Sequence, residues 1–183
     1  MKSSVRLTCA VILLLALVGT SVFAQNLSVT LNKVVVDGIV NANEYGFSKE
    51  FDSLTLYVNR SKDSLSLAIV GDTTGWVSVG LGSLKMDGAT IFMGFIGADG
   101  KVKFTSQMGT GHRHAEAAKS VADTVSSYAI KEANGKTTME LSLKPAAYIK
   151  DGQAALDLIY AVGEDKSFLP RHSSRGALSL KLN

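Results

Sequence analysis

The chain has 183 residues, of which 46% are hydrophobic and 19% are charged, and its formal net charge is +3 at pH 7. Acidic and basic residues are nearly balanced and no basic patch stands out, so the composition speaks against nucleic-acid binding and against strong attraction to a membrane surface. The chain is long enough for one domain of ordinary size with a substantial hydrophobic core.

Residues 1–24 have the layout of a secretory signal peptide. A basic start precedes the apolar stretch 10–18 and a small-residue cleavage sequence at 22–24. The apolar run is too short for a good transmembrane anchor, so we expect no stable membrane span after cleavage. Cleavage also removes Cys9, the only cysteine, so we expect an exported protein, periplasmic or secreted, without disulfides. Residues 25–183 are then predicted to form a single domain.

The remaining sequence consists mostly of short runs of β-forming residues separated by turn signals. At 54–58 and 65–69 apolar residues alternate with polar ones, which is the period of a sheet with one face exposed to water. The predicted strands are 27–36, 53–60, 64–70, 76–81, 90–96, 102–107, 124–132, 137–143, 156–162 and 177–182.

Turns and helices complete the predicted fold. Tight hairpin turns are expected at 98–100 and at Asn134-Gly135, because glycine tolerates a positive φ angle. Short helical turns are expected within 41–47 and 114–121, and a single turn is expected where Pro145 takes the first helical position. About ten strands with little helix predict an all-β fold, an antiparallel, immunoglobulin-like β-sandwich.

The motifs of common enzyme classes are missing from the sequence. It contains no Gly-x-Ser-x-Gly nucleophile motif, no phosphate loop, no His-Glu-x-x-His and no calcium loop. Its carboxylates are scattered near predicted turns, and the sequence pairs no two of them as acid and base. A hydrolytic enzyme is therefore a weak hypothesis.

Two side chains that can bind a metal lie in loops at strand junctions. Met86 stands at the tip of a glycine-flanked loop between the strands 76–81 and 90–96, where its thioether can point at a bound group. His172 lies in the polar loop before the last strand, where a single histidine is most often simply hydrogen-bonded. A sandwich gathers such loops at one end, and methionine with histidine is a known axial pair for haem iron.

Five sequence blocks together resemble a DOMON domain of the b-type cytochrome branch, as in the cytochrome domain of cellobiose dehydrogenase. The blocks are Trp76-Val-Ser-Val-Gly-Leu-Gly, Met86-Asp-Gly-Ala-Thr-Ile-Phe-Met-Gly-Phe, Asp99-Gly-Lys, Tyr160-Ala-Val-Gly and His172-Ser-Ser-Arg-Gly. The opening Val36-Asp-Gly-Ile-Val and Glu44-Tyr also resemble a segment common to this sandwich superfamily, which includes some carbohydrate-binding modules. The resemblance covers residues 28–183.

The resemblance implies a β-sandwich that binds one haem b, with Met86 and His172 as the axial ligands of the iron. Such a domain passes single electrons to or from a partner redox protein. Other members of the family bind sugars or serve as interaction modules. The sequence contains no Cys-x-x-Cys-His, so covalent c-type attachment of the haem is excluded.

A haem held without covalent bonds needs an apolar cleft and partners for its propionates. Residues available near the ligand-bearing strands to line such a cleft are Trp76, Phe92, Met93, Phe95 and Tyr160. Basic residues that flank the ligands and can pair with propionates are Lys85, Arg171 and Arg175, although exposed basic residues in loops are often simply solvated.

Other ligands compete with this assignment. Met93 falls within a strand, where core packing is the usual role, and Met108 lies in no matching block. His112 and His114 point to one side of an extended segment, which is a spacing that can bind zinc or copper. A bare His-x-His in a glycine-rich loop is more often solvated, and this loop can also lie at the haem edge.

Three functions remain open at this point. The first is an exported b-type cytochrome domain, which is not an enzyme because a six-coordinate iron has no free site for a substrate. The second is a haem-free carbohydrate-binding or interaction module that uses the aromatic residues Trp76, Tyr57 and Tyr128. The third is a metal-binding protein that uses His112 and His114.

Overall fold

The computed structural model describes residues 25–169 and 171–183, so the predicted signal peptide at 1–24 lies outside the described residues. This part of the chain is nearly all β-structure, with one short helix, α1 (Lys119–Ala122), and two 3-10 turns, Ala42–Glu44 and Pro145–Ala147. The strands are β1 (Asn26–Leu27), β2 (Phe47–Phe51), β3 (Leu54–Arg60), β4 (Leu65–Gly71), β5 (Val77–Leu81), β6 (Thr90–Ile96), β7 (Val102–Thr110), β8 (Arg113–Glu116), β9 (Val125–Ala133), β10 (Lys136–Leu143), β11 (Ala155–Val162) and β12 (Ser174–Leu182).

The strands form two sheets that pack face to face. The seven-stranded sheet has the order β1-β12-β11-β5-β6-β7-β8, and the five-stranded sheet has the order β2-β3-β4-β10-β9. Strands pair antiparallel throughout, except that β1 runs parallel to β12. The predicted all-β sandwich is therefore confirmed.

Several predicted elements agree closely with the structure. The strand predicted at 90–96 is β6, and the 3-10 turn begins at Pro145 as expected. The β9–β10 hairpin turns through Asn134 and Gly135, with φ angles of 53° and 76°. In these places the signal is local, since a continuous apolar run or a turn residue determines the structure without help from distant segments.

The prediction of a strand at 27–36 is wrong. Only Asn26–Leu27 pairs with β12, and Val29 makes one isolated bridge. Residues 28–46, which we call the N-terminal segment, instead lie across the outer face of the five-stranded sheet. Side chains of that sheet satisfy the polar groups of the segment, so the segment needs no strand partner.

Two strands were not predicted, which makes twelve in the described residues instead of about ten. The strand Phe47–Phe51 follows a single 3-10 turn, where a longer helical segment at 41–47 was expected. The segment 114–121, expected to be helical, is divided between the strand Arg113–Glu116 and the helix Lys119–Ala122. Both strands lie at sheet edges and pair with one neighbour only, through a tight hairpin to β3 and to β7, and their sequences Phe-Ser-Lys-Glu-Phe and Arg-His-Ala-Glu are largely polar.

The hydrophobic core lies between the two sheets. Alternate residues of β3 and β4 point inward, including Leu56, Leu67 and Ile69, and they meet Phe92 and Leu158 from the other sheet. Burying these side chains removes several large apolar groups from water, each contributing about 1.5–3 kcal/mol. This packing fixes the two sheets against each other and leaves their outer faces to be covered by loops.

The expected water-exposed face of β4 is in fact covered. Ala68 is buried there, because the N-terminal segment lies over Glu140, its neighbour on β10. The Glu140 carboxyl group accepts hydrogen bonds from the backbone N–H groups of Asp37 (3.0 Å) and Gly38 (2.7 Å) and from the Tyr45 hydroxyl (2.7 Å). Burial, and secondly the hydrogen bond to Glu140, raise the pKa of Tyr45 far above its usual range, so the hydroxyl remains a donor.

Candidate functional site

A second apolar cluster lies on the outer face of the seven-stranded sheet, on the opposite side from the core. Strand register brings alternate residues of β5, β6 and β11 together there, with Ser78 between Ala161 and Met93. The buried members of this outer cluster are Trp76, Ala89, Ile91, Met93 and Phe95. Side chains of partial exposure that pack against it are Met86, Ile159, Ala161 and Phe168.

Residues 82–89, the Met86 loop, form one border of the outer cluster. Two backbone hydrogen bonds of 3.1 and 2.9 Å join the loop to Gly109 of β7. The backbone N–H of Gly111 donates to the Asp87 carboxylate at 2.8 Å. A Cβ atom at Gly109 would lie 1.7 Å from the Met86 carbonyl oxygen, so only glycine allows this approach. The structure therefore holds the half-buried Met86 at the edge of the cluster.

The His172 loop, described here over residues 163–169 and 171–173, borders the same face from the opposite end of the strands, because Val77 at the start of β5 pairs with Val162 and Leu81 at its end pairs with Leu158. The expectation that the two loops gather at one end of the sandwich is therefore wrong. The Phe168 ring lies edge-on against Phe95, with 4.7 Å between ring centroids and an interplanar angle of 71°. The backbone N–H of Ser173 donates to the Val162 carbonyl at 2.8 Å and fixes the end of the loop. His172 directly precedes this anchor and is half-buried.

The surroundings of His172 favour a neutral imidazole. Partial burial is the main cause that lowers its pKa, and the positive charges of Arg175 and Arg171 lower it further. A neutral ring keeps a lone pair available for a metal ion. Arg175 lies opposite Ala161 in the β11–β12 register, on the same side of the sheet as the outer cluster, and its side chain is exposed.

Trp76 contains an unusual polar group at the end of this face that borders the His172 loop. Its indole packs over Gly163, where a Cβ atom would lie 2.2 Å from Nε1. The side chain is only 4% exposed. Within the described residues the buried Nε1–H group has no hydrogen-bond acceptor. A buried donor without a partner is costly, at about 1–3 kcal/mol, and is open to an acceptor on a ligand.

The five residues expected to line a cleft divide between two places. Trp76, Met93 and Phe95 belong to the outer cluster, whereas Phe92 and Tyr160 point inward and belong to the core. Lys85 is exposed on the Met86 loop. The sequence analysis did not single out Phe168. A signal was available, since Phe168 is the only aromatic residue in the sequence of the polar loop 163–173.

The two histidines considered for a separate metal site lie in the β7–β8 hairpin. His114 is paired with Gly109 across the strands, and its Nδ1 atom is hydrogen-bonded to Gln107 Oε1. His112 lies in the exposed turn between the two strands. Over residues 25–169 and 171–183, no three His, Cys, Asp or Glu side chains are grouped so that they could hold a metal ion. A zinc or copper site at His112 and His114 therefore stays an untested hypothesis, since the described residues supply no third His, Cys, Asp or Glu ligand beside them.

The three aromatic residues considered for sugar binding lie far apart in the fold. Trp76 is buried in the outer cluster, and Tyr57 packs against Tyr45 on the outer face of the other sheet, with 5.4 Å between ring centroids. Tyr128 is 46% exposed and stacks on Phe104. They do not converge on one surface, so a sugar site would use one of them.

Membrane insertion through a helix finds no support in the described part of the chain. None of its helices has the length and apolar character needed to span a bilayer. The longest, α1, covers only Lys119–Ala122.

Comparison with known proteins identifies relatives of the fold. No protein-family model matches the chain, and no curated protein matches it. Among solved structures, the cytochrome b domain of pyranose dehydrogenase from Coprinopsis cinerea matches with a TM-score of 0.52 and 12% identity, over 70% of this chain and 76% of that one. The cytochrome domain of Myriococcum thermophilum cellobiose dehydrogenase matches with a TM-score of 0.50 and 15% identity, over 75% and 81%.

A carbohydrate-binding protein is equally similar. A family 9 carbohydrate binding module from Caldicellulosiruptor kristjanssonii, in complex with glucose, matches with a TM-score of 0.53 and 9% identity, over 87% of this chain and 96% of that one. At such identities the likeness shows a shared fold alone. The structural neighbours thus include both cytochrome domains and a sugar-binding module.

Proposed function

We propose that residues 25–183 form an exported b-type cytochrome domain that binds one haem b against the outer cluster, with Met86 and His172 as axial ligands. The observation that carries this proposal is that a side chain from each loop, Met86 from one and Phe168 from the other, packs against the same apolar sheet face. Bound haem supplies an iron that takes up and releases one electron. The protein then passes that electron to or from a partner redox protein.

The residues of this face fit the chemistry of haem. Ile91, Met93 and Phe95 offer an apolar floor for a macrocycle. The Met86 thioether and the neutral His172 imidazole are the donor types that haem iron accepts. The unpartnered Trp76 Nε1–H is available to a propionate oxygen, and Arg175 adds a positive charge on the same side.

Haem binding requires that the side chain now lying on the outer cluster move aside. Phe168 lies directly on Phe95, so a macrocycle that uses the Phe95 surface has to displace the Phe168 ring. Away from Phe168, the loop is attached at Gly163, which is hydrogen-bonded to the Trp76 carbonyl and to the Thr73 hydroxyl, and at Lys166, whose ammonium group lies 2.6 Å from the Glu132 carboxylate. The Phe168 side chain would therefore have to move when haem binds, whereas the attachments at Gly163 and Lys166 could remain.

The remaining parts of the proposal concern location and partners. The signal-peptide pattern of residues 1–24 supports a periplasmic or secreted protein. A six-coordinate iron leaves no position for a substrate, so the domain acts as an electron carrier and not as an enzyme. Its redox partner is a separate protein or domain, and neither nucleic acid nor a membrane span is part of the proposed function.

The test is an absorption spectrum of the exported protein, expressed with haem supplied and recorded before and after reduction with dithionite. We expect a Soret band that sharpens and shifts on reduction, with resolved α and β bands. Met86→Ala and His172→Ala should each lose the low-spin six-coordinate spectrum. The mass of the exported protein should match a chain that begins at Gln25.

Matched controls separate ligation from general damage. Met108→Ala and His112→Ala each remove the same residue type from an exposed position outside the outer cluster, and both should keep the wild-type spectrum. A folded, colourless protein that does not take up added haemin would overturn the proposal. An unchanged spectrum in Met86→Ala or His172→Ala would remove that residue from the ligand set.

A haem-free carbohydrate-binding or interaction module is the second candidate, favoured by the fold shared with the family 9 carbohydrate binding module. It predicts a colourless protein that is retained on an insoluble polysaccharide. The metal-binding alternative at His112 and His114 predicts bound zinc or copper in the wild type. Metal analysis that finds no difference between the wild type and His114→Ala would eliminate it.

A further inference from the structure

The N-terminal segment forms the outermost layer of the molecule on the side of the five-stranded sheet. The Asn59 side chain of β3 donates to the Asn32 carbonyl at 3.2 Å, and the Glu140 carboxylate of β10 accepts from the Gly38 N–H at 2.7 Å. Gly38 then lies close against the side chain of Lys131 on β9. Residues 32–38 therefore cross the sheet from β3 to β9, with one side against the strands and the other side toward solvent.

Apolar and charged side chains alternate on the solvent side of this segment. Leu31 is fully exposed, and Val35 and Ile39 are 52% and 53% exposed. Between them stand Lys33 and Asp37, which are exposed as well, whereas the even-numbered residues from 34 to 38 are half-buried or buried against the sheet. The chain bends at residues 37 and 38, yet Ile39 stays on the solvent side. We call these five exposed residues the N-terminal ridge.

Hydrogen bonds hold the N-terminal ridge in place. The Val35 N–H donates to the Glu44 carboxylate at 3.0 Å, and the Ile39 N–H donates to the Asp37 carboxylate at 2.8 Å. A backbone fixed in this way has little freedom to lose when a partner contacts it. Single exposed apolar side chains are ordinary, but a row of three on ordered chain marks a surface that another molecule covers.

The sequence of the ridge is complementary to itself about Val35. A two-fold axis at Val35, perpendicular to the sheet, places each residue opposite the one that lies equally far on the other side of Val35. Lys33 and Asp37 are each two residues away, so each lysine meets an aspartate of a second copy. Leu31 and Ile39 are each four residues away and meet in the same manner. Every contact then joins apolar with apolar or positive with negative, as a symmetric interface requires.

The two charges of the ridge are free to pair with another molecule. All three ion pairs found among residues 25–169 and 171–183 use other side chains, so neither Lys33 nor Asp37 is neutralised within the chain. A membrane surface or an unrelated protein would not require the two-fold arrangement of these charges. We propose that the N-terminal ridge is a homodimer interface, in which two copies pack antiparallel about Val35 and Lys33 of each copy pairs with Asp37 of the other.

The dimer is expected to be weak and independent of haem. The ridge is small beside the roughly 1,200–2,000 Å² that stable interfaces bury, so we expect a dissociation constant of about 10–100 µM. The ridge and the outer cluster lie on opposite sides of the sandwich, because they cover different sheets. Both outer clusters of the dimer therefore face outward, and haem-free and haem-loaded protein should dimerise equally.

The experiment is sedimentation velocity of the exported protein, with and without haem, from about 1 to about 500 µM, a range that brackets this constant. The weight-average sedimentation coefficient should rise from the monomer value to the dimer value. Leu31→Asp should weaken the dimer at least about tenfold, because it places a charge in an apolar contact. Leu169→Asp is the matched control, since it changes another exposed leucine (93%) in the loop that borders the other sheet, and it should leave the dimer unchanged.

Exchanging the charges tests the symmetry itself. Lys33→Glu brings carboxylates face to face and Asp37→Lys brings ammonium groups face to face, so each variant alone should be weakened at least about tenfold. In an equimolar mixture the two variants present opposite charges to each other, and a mixed dimer should form with about the wild-type affinity. Asp37→Asn keeps an oxygen for the Ile39 N–H and removes only the charge, so it should weaken the dimer about threefold without disturbing the bend.

Three outcomes would overturn the proposal. The first is a wild type that stays monomeric up to about 500 µM, including one that sediments instead with phosphatidylcholine or phosphatidylglycerol vesicles. The second is a dimer that Leu31→Asp leaves intact or that Leu169→Asp weakens equally. The third is a mixture of folded Lys33→Glu and Asp37→Lys proteins that does not associate. If Asp37→Lys does not fold, the comparison of Leu31→Asp with Leu169→Asp still decides.

Discussion

The outer faces of the two sheets are both covered by irregular chain, but the two covers are built differently. On the five-stranded sheet, Glu140 accepts three hydrogen bonds from the N-terminal segment. Asn59 of the same face accepts from Thr30 at 2.7 Å and donates to the segment's backbone. On the seven-stranded sheet, the two covering loops contribute mainly apolar contacts, and Trp76 Nε1 finds no acceptor in the described chain.

The difference separates a structural cover from a cover suited to a ligand. A buried polar group that is paired within the chain stabilises the fold, and removing its partner is costly. A buried donor without an intramolecular partner is stabilised only when another molecule provides the acceptor. Three experiments test whether the two faces differ in this way.

The largest effect is expected on the five-stranded sheet. Glu140→Ala would leave the Tyr45 hydroxyl and two backbone N–H groups without their acceptor, so we expect a loss of about 3 kcal/mol or more in the free energy of unfolding, measured with urea. Glu140→Gln should lose only about 1 kcal/mol, because its amide oxygen can serve the backbone groups and its NH2 group can donate to Tyr45. Equal losses in the two variants would show that the hydrogen bonds do not hold this cover.

The opposite pattern is expected at Trp76. Trp76→Phe keeps an aromatic ring and removes the unpaired donor, so the unfolding free energy of the haem-free protein should change by less than about 1 kcal/mol. Haem affinity should fall about tenfold, because a hydrogen bond to a charged carboxylate is lost. Titration with haemin at the Soret band measures this change. A stability loss of several kcal/mol with unchanged haem affinity would make Trp76 a purely structural residue.

A smaller effect concerns the pH dependence of the haem-free protein. The folded-state pKa of His172 lies below its unfolded value of about 6.5, so the unfolded chain binds more protons between these two values. Stability should therefore fall as the pH drops through about 6.5 and should not depend on this group above that value. Urea midpoints at about pH 5 and about pH 7.5 measure the slope, and His172→Gln should reduce it.

His112→Gln is the matched control for this slope, since it removes an exposed histidine from a turn outside the outer cluster. A slope that is equally reduced by both substitutions would show that the surroundings of His172 are not special. A slope unchanged in His172→Gln would assign the pH dependence to other groups.

Much of the fold followed from local sequence signals, and the exceptions have a common cause. The strand at 90–96 is marked by a continuous apolar run and the turn at Asn134-Gly135 by its glycine, and both signals are visible in a short window. The strand Phe47–Phe51 has the polar centre Ser-Lys-Glu, and as an edge strand it is recognisable only through its pairing with β3. The segment 28–46 contains β-forming residues, yet distant side chains on β3 and β10 determine its course.

The candidate site shows the same division. Met86 and His172 were identifiable because each is a ligand-type residue in a loop between strands. The unpaired state of Trp76 Nε1 depends on the register that places its indole over Gly163, which no local pattern encodes. The contact of Phe168 with Phe95 likewise joins residues far apart in the chain. The resemblance singled out Met86 and His172 as candidate ligands, and tertiary packing determined which neighbours lie near them.

The parallel pairing of β1 with β12 has a consequence for how this protein folds. Leu27, only 1% exposed, occupies its place in the core beside the last strand, and Leu182 is its register partner. In a chain made from its amino end, Leu27 cannot take that position until β12 has been synthesised. Because closing so long a loop carries an entropic cost before any contact forms, we expect slow folding, on a timescale of about milliseconds to seconds. Until β1 pairs with it, the flank of β12 remains an unpaired edge that a second, incompletely folded chain can occupy.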